Sequence, residues 1–464
     1  MAKKVFIAGA GPAGLLIAKE LANAGMEVVV FEALDENQYS SQHNWSDALE
    51  IGILDDVGLP VPEMRGEFFV GNGVKKDSPR EGLYEQHRIS QLAVYAPDYS
   101  IKTVTDADFR HVLVDRQELR NYQVQQTRKT GVTIRFACPV IGLLGRVKGE
   151  LPDIEITGIR VKEGNESVDM PCDLVIDATG QYARLRTMLE PNSIGKSFPD
   201  KYYGYVYRTV RRISEIKKKP VNVSADQPPF RDHYRLRSSK GYSFLHFHNN
   251  NTVDIGGGAP HPIPPKAAKK IVLDTIGALP QIGEEVRGGE GRNLKCMPPD
   301  SMVTNGFIVV GHAAAQINPT QGCGIGSSYA GALLAAQIIK SAERFDIGSL
   351  WAYNYRWFTG RGAHYAALFL RLKDLNVEDL CFLIRKNIIN GETLTNDYNG
   401  YYLPVSTNEA RRITDAFPHR PNLMSKWKAA DEASKRCFDH FLTYPKNWDP
   451  SDFSDWIRDK GPEA

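Results

Sequence analysis

An α/β fold is what this sequence predicts: a parallel sheet with crossing helices, an inserted antiparallel sheet and a helical C-terminal region. Three observations predict it. A β-α-β unit stands at the extreme N-terminus, short apolar strands ending in glycine recur far downstream, and the stretches between them alternate apolar and polar residues as antiparallel strands do. A chain of 464 residues with 42% hydrophobic content is long enough for two or three domains with cores of their own.

Residues 5–8 read as a short buried strand that breaks at glycine. Residues 12–24 then place Leu15, Leu16, Ala18, Leu21 and Ala22 at helical spacing, Gly25 ends the helix, and residues 28–31 read as a second buried strand. Between about 54 and 100, glycine, proline and charge rise without periodicity. The pattern predicts a helix over 106–126, a strand over 132–137, a small antiparallel meander over 154–168, and a buried strand over 174–177 that runs into Ala178-Thr179-Gly180. Segments 202–209, 233–236, 242–247 and 252–255 alternate as a separate antiparallel sheet. Residues 307–310 form one more buried strand, followed by a glycine-rich turn, a helix over 327–342 and a mostly helical remainder from about 350. The expected organisation is a discontinuous nucleotide-binding domain over 1–55, 101–198 and 287–345, an antiparallel-sheet domain over 56–100 and 199–286, and a helical region over 346–464.

Composition excludes several functions. Lys and Arg number 57 against 55 Asp and Glu, a net charge of +2, so no broad positive field favours nucleic acid as a partner. Six cysteines, Cys138, Cys172, Cys296, Cys323, Cys381 and Cys437, are scattered without a CxxC pair, which predicts neither a metal site nor a disulfide framework. Reduced thiols suit a cytoplasmic protein. The uncharged run 5–18 after Lys3-Lys4 contains glycines and Pro12 and meets Lys19-Glu20 without a small-residue cleavage site, so export is not expected. The second uncharged run, 313–339, holds Asn318, Pro319 and Gln321 and is not expected to span a membrane. The basic runs Arg211-Arg212 with Lys217-Lys218-Lys219, and Lys266 with Lys269-Lys270, read as solvated faces, with peripheral contact to anionic lipid or a redox partner as the alternative.

The strongest motif is Gly9-Ala10-Gly11-Pro12-Ala13-Gly14 between strand and helix, with Glu32 and Ala33 closing the next strand. Glycines there permit a tight turn and close approach of backbone to a pyrophosphate, the helix N-terminus offers N–H groups and a positive dipole, and the acidic residue can hold a ribose hydroxyl. This is a Rossmann-type fingerprint in its proper context. Asp177-Ala178-Thr179-Gly180 and the segment Gly306 to Ala314, which contains Gly311-His312, resemble the second and third cofactor elements of FAD enzymes of the glutathione-reductase type. Asp115-Arg116-Gln117-Glu118-Leu119 resembles the helix start of the p-hydroxybenzoate hydroxylase-like branch. Together these resemblances point to FAD as cofactor.

With Gly241-Tyr242-Ser243-Phe244, Val253 to Gly258, Gly311 to Ala330 and the tail from Leu350 to Leu380 added, the chain resembles the geranylgeranyl reductase family, FAD enzymes that saturate isoprenoid double bonds. Three positions depart from that family: Gly311-His312 replaces Gly-Asp, Tyr242-Ser243-Phe244-Leu245-His246-Phe247 lacks the family's Trp and Pro, and Gln42 to Asp47 replaces a Cys-Gly-rich turn. The resemblance implies cofactor contacts at Gly9, Gly11, Pro12, Ala13, Gly14, Glu32, Ala33, Arg116, Ala178, Thr179, Gly180, Gly311, His312, Gly322, Gly324 and Ile325. Gly324 and Ile325 open a helix whose N-terminus can face the anionic edge of a reduced flavin, although a close helix-to-sheet crossing would also need glycine.

Tyr242 and Phe244 share one strand face with His246 and suit an apolar substrate wall, while a plain sheet core would read the same way. No acid-base motif stands out, so the chemistry is expected from the cofactor. His43, Trp45, Cys323 and His246 are the candidates for a catalytic part; for each, a turn, packing or surface role accounts for the residue as well. The leading reading is a flavin reductase of a long apolar prenyl substrate. Alternatives are a flavin monooxygenase or halogenase of an aromatic compound, and an electron-transfer flavoprotein serving a quinone or protein. No second GxGxxG follows a strand, so the electron donor, NAD(P)H or a reduced protein, is expected to be external.

Overall fold

The computed structural model describes residues 2–41, 46–50, 53, 64–65, 68–69, 93–95, 102–104, 111–189, 192–196, 203–213, 233–237, 241–248, 252–260, 265–279, 282–294, 297–320, 322, 324–372, 375–405, 414 and 420–459. Strand β1 (Lys4–Ala8), helix α1 (Pro12–Asn23) and strand β2 (Glu27–Phe31) form the expected β-α-β unit. Helix α2 (Glu36–Ser41) leads to β3 (Ser46–Glu50), the small hairpin β4 (Met64–Arg65) and β5 (Phe68–Phe69), and then β6 (Ala93–Tyr95) and β7 (Lys102–Val104). Strand β8 (His111–Asp115) runs directly into α3 (Arg116–Arg128), followed by β9 (Thr133–Arg135). Strands β10 (Val140–Arg146), β11 (Glu155–Glu163) and β12 (Glu166–Pro171) form an antiparallel meander, and β13 (Leu174–Asp177) returns to the first sheet.

The next stretch contains β14 (Tyr203–Ile213), β15 (His233–Arg237), β16 (Gly241–Phe247), β17 (Thr252–Pro260), α4 (Pro265–Gly277) and β18 (Ile282–Leu294). Strands β19 (Val303–Thr304) and β20 (Phe307–Val309) precede the long helix α5 (Ile325–Ser341). The rest is helical: α6 (Ile347–Trp357), α7 (Ala363–Leu372), α8 (Val377–Arg385), α9 (Gly391–Tyr398), α10 (Pro421–Leu442) and α11 (Pro450–Asp459).

The first sheet has the order β19-β20-β13-β1-β2-β9, parallel except where β19 meets β20. Val5, Ile7, Leu174, Ile176, Phe307 and Ile308 are wholly buried, as strands covered on both faces must be. The chain leaves β1 toward β2 on one side and toward β13 on the other, so the turn after β1 lies at a topological switch point, where α/β sheets open a crevice. The second sheet has the order β18-β14-β17-β16-β15-β6-β7. One of its faces, built from Leu245, Val253 and Ile255, packs on Val272 of α4.

Three elements differ from the sequence reading. The expected helix over 106–126 is strand then helix: Val112-Leu113-Val114 pairs antiparallel with β3, and Asp115 stops the strand by capping α3, accepting from the N–H groups of Gln117 (2.8 Å) and Glu118 (3.0 Å). Strand β17 continues past Ile255 through three glycines. Strand β18, with Gly288-Gly289-Glu290-Gly291 at its centre, shows no apolar alternation, yet pairs with β14 over most of its length. The antiparallel sheet therefore runs beyond residue 286, and β7 places 102–104 in it as well, beyond residue 100. Neighbouring strands, and not local pattern, hold these segments.

Within the helical region, Trp351 ties α6 to the C-terminal segment. It is buried, its Nε1 donates to the Pro445 carbonyl (2.8 Å), and its ring packs on Trp448 (4.7 Å), Phe453 (5.1 Å) and Tyr444 (5.4 Å). Replacing it by Ala removes the centre of that cluster. Trp351→Ala is expected to cost about 3–5 kcal/mol of stability, read as a drop in the denaturation midpoint with α11 detaching first in limited proteolysis.

Candidate functional site

A cavity of about 770 Å³ opens where β1, β2, β13 and the segment after β20 end, between the N-termini of α1 and α5. Of the residues expected to meet a cofactor, Gly9, Gly11, Pro12, Ala13, Glu32, Ala33, Arg116, Ala178, Thr179, Gly180, Gly311, His312, Gly324 and Ile325 line it. Gly14 packs behind the turn, against the Gly9 carbonyl, and neither it nor Gly322 is part of the wall. Tyr242, Phe244 and His246 stand on β16, also away from that wall. His43, Trp45 and Cys323 lie outside the described residues.

The turn after β1 is built by close backbone contact. Gly9 has φ +103°, and a Cβ there would strike the Ala178 carbonyl; a Cβ on Gly14 would strike the carbonyl oxygen of Gly9. Gly11 differs, because a Cβ there would enter open space inside the cavity. The turn is thus pressed against β13 on one side and leaves a bare backbone cradle on the other, where the free N–H groups of α1 begin. Glu32 stiffens it, accepting from the N–H of Ala10 (3.0 Å) and of Leu34 (3.1 Å).

Several wall residues carry no motif and escaped sequence reasoning. The Tyr39 hydroxyl donates to the Ala10 carbonyl (2.5 Å), and Arg120 donates to the Tyr39 carbonyl (2.9 Å) while its guanidinium lies 4.9 Å from the Tyr39 ring. Burial raises the Tyr39 phenol above its ordinary range, so it remains a neutral donor. Asp177 accepts from the Thr179 N–H (2.9 Å), the Thr179 hydroxyl (2.6 Å) and the Arg186 N–H (2.7 Å). Arg186, wholly buried, donates from Nε to the Ala313 carbonyl (2.9 Å) and from Nη1 to those of Ile194 (3.1 Å) and Lys196. It clamps the end of β13 to the turn holding Gly311 and His312.

At Gly311 the N–H donates to Gln316 Oε1 (2.7 Å), whose amide in turn donates to the Tyr353 hydroxyl (2.7 Å). His312 projects toward Gly324, where any Cβ would collide with its imidazole. Its Nε2 is buried and has no hydrogen-bond partner among the described residues. Burial, assisted by nearby Arg116, pushes its pKa from 6.5 down to about 4, so the ring is neutral at physiological pH. A bare glycine cradle at a helix N-terminus, together with a neutral imidazole packed against Gly324 in the wall of the same cavity, fits a dinucleotide offering a pyrophosphate and hydroxyl groups.

A family model described as FAD binding domain matches residues 2–342. The chain belongs to that family. It is an FAD-dependent oxidoreductase, and its relatives include proteins of the geranylgeranyl reductase type. The digeranylgeranylglycerophospholipid reductase of Sulfolobus acidocaldarius is 26% identical over 480 aligned residues, covering 98% of this chain and 96% of that protein. Among solved structures, a geranylgeranyl bacteriochlorophyll reductase-like protein from Thermoplasma acidophilum superimposes with a TM-score of 0.68 at 16% identity, covering 92% of this chain and 99% of its own. A flavin-dependent brominase shares the fold with a TM-score of 0.60 at 15% identity, covering 99% and 98%. Among the described residues, no group of three or more His, Cys, Asp or Glu is placed to hold a metal ion, and no helix is long and apolar enough to cross a membrane.

The second sheet presents a distinct face on the side opposite α4. Register puts Phe244, Gly256 and Arg208 in one row, Tyr242, Gly258 and Val206 in the next, and His246, Asp254, Val210 and Arg287 in a third. The Tyr242 and Phe244 rings are nearly parallel (23°, centroids 6.4 Å apart) and lie down on β17, where a Cβ on Gly256 or Gly258 would run into them. The middle glycine, Gly257, faces the other way and lets α4 approach; a Cβ there would sit 2.9 Å from Val272. The glycine triplet thus serves two faces. His246 is buried against Phe244 (4.9 Å) on the aromatic side.

Two outcomes follow from this geometry. Because His312 is depressed in the fold, its contribution to stability is complete above about pH 6.5 and is lost as the pH falls toward about 4; His312→Gln should flatten the pH dependence of unfolding in that window by about one proton, measured by denaturant titration of the cofactor-free chain. Gly256→Ala should displace the Phe244 ring and cost about 1–3 kcal/mol, seen as a lower unfolding midpoint.

Proposed function

We propose that this flavoenzyme reduces carbon–carbon double bonds in a long apolar isoprenoid substrate. The observation that carries the reading is the full-length sequence likeness to a digeranylgeranylglycerophospholipid reductase, which extends through the antiparallel sheet and the helical region. The aromatic face supports it: Tyr242 and Phe244 laid on bare glycine offer a flat apolar wall of the kind that excludes water from an alkyl chain.

In this reading Gly9, Gly11 and the start of α1 hold the pyrophosphate, Glu32 meets a ribose, His312 offers one hydrogen bond to a cofactor hydroxyl, and the N-terminus of α5 at Gly324 and Ile325 faces the flavin ring. Bound FAD, once reduced, supplies the hydride equivalent; saturation is completed by a proton at the other carbon. The protein's share is to orient the alkene along the Tyr242 and Phe244 wall, exclude water and keep the helix dipole directed at developing negative charge. The donor, NAD(P)H or a reduced protein, is external. A cytoplasmic protein in peripheral contact with membrane, using the antiparallel sheet, extended to 102–104 and 287–294, for the substrate and the parallel-sheet segments for FAD, completes the proposal.

The test is to purify the chain, establish bound FAD by its absorbance, reduce it without air and follow reoxidation. A geranylgeranyl ether lipid should reoxidise it, with product mass rising by two hydrogens per double bond. Oxygenation or halogenation of an aromatic compound in air, with no reaction of the lipid, would replace this reading by that of the brominase-like neighbours. Reoxidation by a quinone or protein alone would make the chain an electron carrier.

A further inference from the structure

The cofactor cavity and the aromatic face are joined through one carboxylate. Asp47 Oδ2 lies 3.4 Å from Arg116 Nε, and Arg116 lines the cavity; Asp47 Oδ1 lies 3.4 Å from Arg208 Nη1, and Arg208 belongs to the aromatic face. Both separations exceed the roughly 2.7–2.9 Å of a close charge-assisted hydrogen bond, and Asp47 Oδ2 is buried without a hydrogen-bond partner among the described residues. The carboxylate stands between two guanidinium groups, 3.4 Å from each.

Arg208 is well placed to pass on what Asp47 does. It pairs with the fully buried Asp254 and lies 5.0 Å from the centre of the Phe244 ring, across Gly256. A second tie runs in parallel: Asp115, the cap of α3 and neighbour of Arg116, pairs with Arg287 of β18 on the same sheet face. The charges balance, Asp47, Asp115 and Asp254 against Arg116, Arg208 and Arg287, so a change in one pairing is felt by the others.

We propose that Asp47 and Arg208 are positioning residues that transmit cofactor binding to the aromatic wall. A phosphate or hydroxyl oxygen of FAD competes with Asp47 for Arg116; the carboxylate released closes onto Arg208, and Arg208 holds the Phe244 ring and β17 more firmly. Linkage makes the effect reciprocal, so a ligand that immobilises the wall tightens FAD. The inference rests on FAD as the cofactor and is independent of which substrate the wall receives.

Hydrogen exchange read by mass spectrometry tests it on the full chain, FAD-loaded and FAD-stripped. In the parent protein, FAD should slow exchange in peptides from 241–247 and 252–258 by on the order of tenfold, in the range of ordinary coupling between sites, as well as protecting peptides from 4–14. Asp47→Asn and Arg208→Met should keep the cofactor's protection of 4–14 and lose its effect on 241–258. Should Asp47→Asn fail to take up FAD, Arg208→Met decides alone, since that side chain is not part of the cavity wall; Arg208→Lys, which keeps the charge without the planar fork, should recover part of the response. Sheet amides that exchange alike with and without FAD in the parent, or variants that keep the parent's full response, would overturn the proposal.

Discussion

Everything in the cofactor half depends on one backbone contact: the turn after β1 presses against the end of β13 so closely that only hydrogen fits on the α-carbons of Gly9 and Gly14. That contact sets the start of α1 beside the ends of β13 and β20 and leaves Gly11 facing open space. Asp177 and Arg186 hold the other side, the first gathering the Thr179 turn and the second reaching across to Ala313. Removing water from an arginine is expensive, and Arg186 offsets this by donating to three carbonyls whose positions it thereby fixes.

The second sheet answers to a different constraint. Its glycine triplet makes room alternately for aromatic rings on one face and a helix on the other, so an aromatic face and a packed core share a single strand. Where the aromatic face meets the cofactor half the contact is ionic. Buried ion pairs contribute little net stability because desolvation offsets their attraction, but they penalise misalignment strongly. The pairs that cross between the halves, Asp47 with Arg208 and Asp115 with Arg287, therefore act on orientation more than on strength.

Much of the first sheet was legible in the sequence, since the β-α-β unit, β13 and β20 are apolar runs punctuated by glycine, and each stands within a residue or two of its expected place. Local signals misread β8 as helix, because the helix-like spacing around it ignores the strand that Val112 to Val114 form against β3. They missed β18, whose glycines and charges are held by the long neighbouring β14. In the cavity, residues in fingerprint turns could be named beforehand; Tyr39 and Arg120, and Arg186 buried behind it, could not, because each acts on backbone far away in sequence.

By itself the sequence determined the switch-point turn, the FAD-type fingerprint and the alternation that puts Tyr242, Phe244 and His246 on one face. These follow from local rules: glycine where the backbone must turn or touch, and period two along a strand. Only the tertiary structure decided that His312 would be neutral, that Gly256 and Gly258 would seat aromatic rings, and that Asp47 would stand between Arg116 and Arg208. Those outcomes depend on distances between segments separated by up to hundreds of residues, set by the summed packing of two sheets, and no local pattern encodes them.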